Sequence, residues 1–126
     1  MLNMNFGIEI ELTGITRQHA AKVIANYYGT RSEYAGTYYK TYTATDRKGR
    51  TWKAMSDASI RTERKSEGRT VSAGDSYSCE VVTLILQYDD LEALQTIVRA
   101  LREAGAIANS SCGIHVHFLL IIFLTA

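Results

Sequence analysis

The sequence has 126 residues, 46% hydrophobic and 21% charged, with a formal net charge of +1. That length suits one domain spanning 1–126, the composition excludes a disordered chain, and the near-neutral charge gives no global pull toward nucleic acid or an anionic membrane. The start, Met-Leu-Asn-Met-Asn-Phe-Gly, lacks the basic flank and apolar stretch of a signal peptide. Cys79 and Cys112 read as free thiols of a cytoplasmic protein rather than as a disulfide.

Asn5 to Leu12 alternates, with Phe6, Ile8, Ile10 and Leu12 on one face and Gly7, Glu9 and Glu11 on the other, the period of a strand with one face in a core. Arg17 to Tyr28 follows with apolar residues at helical spacing; Thr16 is placed to cap its start and Gly29 to close its end. Gly36 to Thr45 and Arg50 to Met55 predict a hairpin around the turn Asp46-Arg47-Lys48-Gly49. Arg61 to Asp75 is polar and charged and reads as a surface loop. Tyr77 to Leu86 predicts a strand with Cys79, Val81 and Thr83 opposite Glu80 and Val82. Leu91 to Ala104 predicts an amphipathic helix, with an Asp89 and Glu92 capping box at its start and Gly105 as its stop. Cys112 to Phe123 predicts a last strand, and the apolar run from Val116 to Leu124, too short for a bilayer, is expected to be covered on both faces. The order of elements predicts an α+β fold: a mostly antiparallel sheet with two helices on one face.

Glu9 and Glu11 share one strand face, where two close carboxylates repel unless solvent or a hard cation intervenes. His115 and His117 repeat the arrangement on another strand and alone interrupt its apolar run, so partners are expected for them. Together the four residues predict a divalent-metal site; the alternative is a solvated sheet face. Glu80, a charge inside an apolar strand, is a candidate third carboxylate, or else an edge residue facing water. Asp57 either holds a metal-bound water or substrate amine, or caps the next turn. Cys112 and His115 fall on opposite faces of a regular strand, against a nucleophile pair. The basic residues Arg61, Arg64, Lys65 and Arg69 read as a solvated loop, and no glycine-rich phosphate loop is present.

Phe6-Gly7-Ile8-Glu9-Ile10-Glu11-Leu12, then Trp52 with Ser56-Asp57-Ala58-Ser59-Ile60, then Glu80-Val81-Val82-Thr83, then Asn109-Ser110-Ser111-Cys112-Gly113-Ile114-His115-Val116-His117 resemble the successive motifs of the amidoligase family. The resemblance implies a catalytic sheet similar to that of glutamine synthetase and glutamate–cysteine ligase. It also implies ATP- and Mg2+- (or Mn2+-) dependent joining of a small-molecule or peptide carboxylate to an amine through an acyl phosphate. Carried over by position, Glu9, Glu11, Glu80 and His115 would ligate metal, His115 and His117 would meet the nucleotide phosphates, and Asp57 and Glu80 would serve catalysis.

The family is expected to continue past the His-x-His strand, whereas nine residues follow His117 and the stretch 118–126 is apolar. The chain therefore reads as the N-terminal portion of such a domain, truncated and of doubtful turnover. Leu84 stands where a proline is often found. A metal-dependent hydrolase using the same ligands, and a non-catalytic metal- or protein-binding remnant, are the rival readings. An exposed apolar tail would favour association into a homo-oligomer.

Overall fold

The computed structural model of the chain describes residues 2–83 and 85–122, so Leu84 and the tail residues 123–126 lie outside it. Its elements are β1 (Leu2–Leu12), α1 (Arg17–Tyr28), β2 (Ser32–Tyr34), β3 (Tyr42–Thr45), β4 (Thr51–Met55), β5 (Glu63–Ser66), β6 (Arg69–Ser72), β7 (Cys79–Val82), α2 (Leu91–Glu103) and β8 (Ile114–Ile122). Six strands form one antiparallel sheet in the order β2-β3-β4-β7-β1-β8, and β5 and β6 form a separate hairpin. The α+β architecture expected from the sequence is the one observed.

Period-two alternation decides which side of the sheet is dry. Phe6, Ile8 and Ile10 of β1, Ala44 of β3, Trp52 and Ala54 of β4, and Cys79 and Val81 of β7 are buried beneath the helices. α1 contributes Ala20, Ala21, Ile24 and Ala25, whose small side chains let the helix lie close to the strands; α2 contributes Leu94, Ile97 and Leu101. Each buried Leu or Ile contributes on the order of 2 kcal/mol of transfer free energy. Thr16 caps α1 by accepting a hydrogen bond from His19 N at 3.1 Å, and Gly29 ends it in the left-handed region at φ 70°. Gly14 is a second glycine with a physical reason. Its φ is +80°, and a Cβ there would lie 2.4 Å from Gly105 O, so the exit of β1 can close against the end of α2 only with glycine.

The turn between β3 and β4 is fixed by charge. Asp46 is buried, and its carboxylate accepts from Lys48 N, Arg50 N, Arg50 Nε (2.6 Å) and Trp52 Nε1 (3.2 Å). The same Arg50 guanidinium forks onto Asp90 at the start of α2, at 2.8 and 2.9 Å, tying the hairpin to the second helix.

Four expectations are corrected. The segment read as a loop, Arg61 to Asp75, contains the β5–β6 hairpin, whose two-residue turn, Glu67 (φ 51°) and Gly68 (φ 76°), has both residues left-handed, as a tight hairpin turn requires. β3 begins at Tyr42 rather than Gly36, because Tyr38 and Tyr39 form a turn that Lys40 (φ 49°) closes. The expected Asp89 and Glu92 box is replaced by one between Gln87 and Asp90, in a 3-10 turn before α2. Finally, β8 is an edge strand: Ile114 (66% exposed), Val116 (44%) and Phe118 (68%) are open, so the described part of the apolar run is not covered on both faces. Both cysteines are free, as expected.

Candidate active site

The site lies on the sheet face opposite the helices, where β4, β7, β1 and β8 run side by side. β7 is a central strand, so Glu80 is not the edge residue that the sequence left open. Its register partners are Glu11 on β1 and Met55 on β4. Glu9 is paired in turn with His115 on β8. The sheet thereby collects Glu9, Glu11, Glu80, His115 and His117 on one face, and the chain leaving β4 adds Asp57 at its edge. These six residues come from four separate segments of the sequence, and the order of the strands makes those segments neighbours.

Their side chains form a row. Glu9 lies between the two imidazoles, with His115 Nδ1 3.5 Å from one oxygen and His117 Nε2 3.4 Å from the other. Glu80 adjoins Glu9 and Asp57, whose charges both act on it, and Asp57 in turn adjoins Glu11. Ser59 Oγ donates to Asp57 Oδ1 (2.7 Å) and lies 3.3 Å from Glu11 Oε2. Glu11 is itself buried, and glycine at 113 leaves it room, since a Cβ there would stand 3.2 Å from Glu11 Oε1.

The electrostatics follow from crowding like charges. Burial, then the charges of Asp57 and Glu9, push the Glu80 carboxyl up to about 7. Burial also pushes Asp57 up, but hydrogen bonds from Ser59 Oγ and N, with those to Glu11 and Glu80, outweigh it and hold the carboxyl below its ordinary value. Within this row Glu80 therefore keeps a proton near neutrality while Asp57 is ionised. The Cys79 thiol, next to Glu80 but on the core side, is pushed up to about 12 by burial and is no nucleophile.

Beside the row opens a cleft of about 710 Å³, with Glu9, Glu80 and Asp57 on its floor and Tyr38, Tyr39 and Lys40 along its wall. His115 and His117 stand at the other end, 58% and 66% exposed, so the burial that argued for partners in the sequence is absent; their shared partner is Glu9. Among the described residues no group of three or more His, Cys, Asp or Glu side chains is arranged to hold a metal ion. Glu9, Glu11, Glu80 and His115 are spread over three neighbouring strands, β1, β7 and β8. Their chemistry, a run of hard oxygen donors with an imidazole, nonetheless suits Mg2+ or Mn2+.

Sequence reasoning missed Ser59, Ser78 and Arg17. Ser78 Oγ accepts from Asp57 N and donates to Asp57 O, both at 2.8 Å. The sequence signal for Ser59 was its position two residues after Asp57, the spacing of a side-chain-closed turn. Nothing in the sequence ties Ser78 to Asp57. Among the described residues, no helix is long and apolar enough to cross a membrane.

No curated protein and no solved structure matches the chain. The model of one protein family, described as putative amidoligase enzyme, matches residues 2–120. The motifs that make up the carboxylate row are spread across that span, and the chain belongs to the putative amidoligase family.

Proposed function

We propose that this sheet face carries out ATP- and Mg2+- (or Mn2+-) dependent ligation of a carboxylate to an amine through an acyl phosphate. The observation that supports it most is the register that stacks Glu11 against Glu80 and sets Glu80 between Asp57 and Glu9. Adjacent carboxylates on one sheet face destabilise the fold by themselves, and a divalent cation relieves that cost. In this reading Glu9, Glu11 and Glu80, with His115, hold the ion, and His115 and His117 meet the nucleotide phosphates. The bound ion supplies charge neutralisation on phosphate oxygens.

Asp57, kept ionised by Ser59, orients the incoming amine from the cleft side. Glu80, next to Asp57 in the row, serves the reaction from beside the ion that it helps to hold. The cleft walled by Tyr38 and Tyr39 admits the organic part of a small-molecule or peptide substrate.

The test is ADP release from ATP and Mg2+ with a mixture of amino acids as carboxylates and hydroxylamine as the amine. ADP and a hydroxamate are expected only when all components are present. Cleavage of an amide or ester without ATP would instead make the site a hydrolase.

A further inference from the structure

Arg17 is the first residue of α1 and is almost wholly buried, with 6% of its side chain exposed. A buried guanidinium is costly unless its donors are satisfied. Here they are satisfied by three backbone carbonyls from two separate loops. Nε donates to Lys40 O at 3.1 Å, and Nη1 donates to Asp75 O and Ser78 O, each at 2.8 Å. Nη2 stands 3.6 Å from the Asp75 carboxylate, which also pairs with Lys40 Nζ at 3.1 Å.

What those loops hold explains why a charge is there. Lys40 follows Tyr39, whose carbonyl accepts from Ser56 N at 2.9 Å. Ser78 grips Asp57 through both its backbone N–H and its carbonyl. The dipeptide Ser56-Asp57 is thus held from two sides, and both holds converge on Arg17. A neutral side chain of similar volume would leave only the exposed Lys40–Asp75 ion pair between the two loops. From this, we infer that Arg17 is a positioning residue for the candidate site: it joins the Tyr38–Lys40 turn to the Asp75–Ser78 turn and so fixes where Asp57 meets Glu80 and where the cleft wall stands. The inference rests on the ligase reading only for what Asp57 does, not for how it is held.

The experiment compares wild type, Arg17→Lys, Arg17→Met, Ser78→Ala and Arg50→Lys by residue-resolved amide exchange and by Mn2+ titration. Arg50 serves as the comparison because it binds Asp46 and Asp90, away from the carboxylate row. Both Arg17 variants should speed exchange at Ser56 and Asp57 about 10-fold over the rest of the sheet, the signature of local opening. Mn2+ binding should weaken by about 10-fold, the scale on which orienting partners of metal ligands act. Lysine should not rescue, because one ammonium cannot span three carbonyls. Ser78→Ala should release Asp57 alone and leave Ser56 protected, which keeps the test decisive if the Arg17 variants fold poorly. Unchanged exchange at Ser56 and Asp57, or the same change in Arg50→Lys at equal loss of Tm, would overturn the inference. Should wild type bind no Mn2+, the metal-dependent ligase reading fails, while the exchange rates still decide the role of Arg17.

Discussion

Glu11 and Glu80 face each other across the β1–β7 ladder, two carboxyl residues at one register position on the same sheet face. Like charges placed directly opposite weaken a strand pair, and the strand pair tolerates this because Glu80 keeps its proton up to a pH of about 7. The consequence for stability has a definite sign. The folded state holds the Glu80 proton more tightly than the unfolded chain, whose carboxyl titrates at its ordinary 4.5. Stability from this group is therefore fully present below 4.5, declines as pH rises toward 7, and is flat above. Glu80→Gln removes the charge and should flatten that decline, raising Tm at pH 8 relative to wild type. Thermal melts from pH 4 to pH 8 check it; a parallel pH profile in the two proteins would contradict the crowding.

The Asp46–Arg50–Asp90 clamp predicts a large effect far from the site. Asp46 has 1% of its side chain exposed and Arg50 has 21%. Arg50→Ala would strand a buried carboxylate and cut the hairpin from α2, costing about 3 kcal/mol, as breaking a buried ion pair does. The hydrogen bonds from Arg50 hold the Asp90 carboxyl down to about 2. Its contribution is therefore present above the ordinary 3.8 and lost as pH falls from there toward 2. Urea unfolding at pH 7 and at pH 3 should show the gap between wild type and Arg50→Ala narrowing in acid.

The free edge of β8 predicts association. Ile114, Val116 and Phe118 are open on the core-side face of a strand whose outer backbone edge has no partner strand among the described residues. Long apolar edges of this kind invite pairing with another chain. Val116→Lys and Phe118→Lys should each shift the protein toward monomer in light scattering while leaving the helix signal in circular dichroism unchanged. No shift in either variant would mean that this edge does not drive association.

What the sequence made legible was local. β1 announced itself by period two over Phe6 to Leu12, and α1 by Thr16, Gly29 and the apolar spacing between them. Glu9, Glu11, His115 and His117 were readable because each pair alternates within its own strand. The β5–β6 hairpin was hidden, since residues such as Arg64, Lys65 and Thr70 are polar on both faces and carry no apolar period. The exposure of β8 was hidden for the opposite reason: apolar residues such as Val116 and Phe118 look alike in a central and an edge strand. The meeting of Asp57 with Glu80 depends on β4 and β7 being neighbours, and the grip of Ser78 on Asp57, with Arg17 bonded to Ser78 behind it, depends on loops that no spacing rule connects. Pairing across a sheet is a property of topology, which local patterns do not contain.

Glu9 and Glu11 carry the last prediction, because they distinguish a metal site from an inert acidic face. In the ligase reading both are ligands, so Glu9→Gln and Glu11→Gln should each weaken Mn2+ binding by about 10-fold or more. Neither change removes buried apolar area, so Tm without metal should stay level or rise as repulsion falls. Glu9→Gln has a second signature, since Glu9 is the partner of both imidazoles at 3.4 and 3.5 Å. Replacing its carboxylate should move the imidazole ring signals of His115 and His117 in NMR spectra, whereas Glu11→Gln should leave them alone. Ligands must shed their protons to bind metal, and Glu80 sheds its own at about 7. Mn2+ affinity in wild type should therefore rise with pH through neutrality, and in Glu80→Gln that rise should flatten. Equal Mn2+ affinity in wild type, Glu9→Gln and Glu11→Gln would leave the row as a strained acidic surface with no ion to serve.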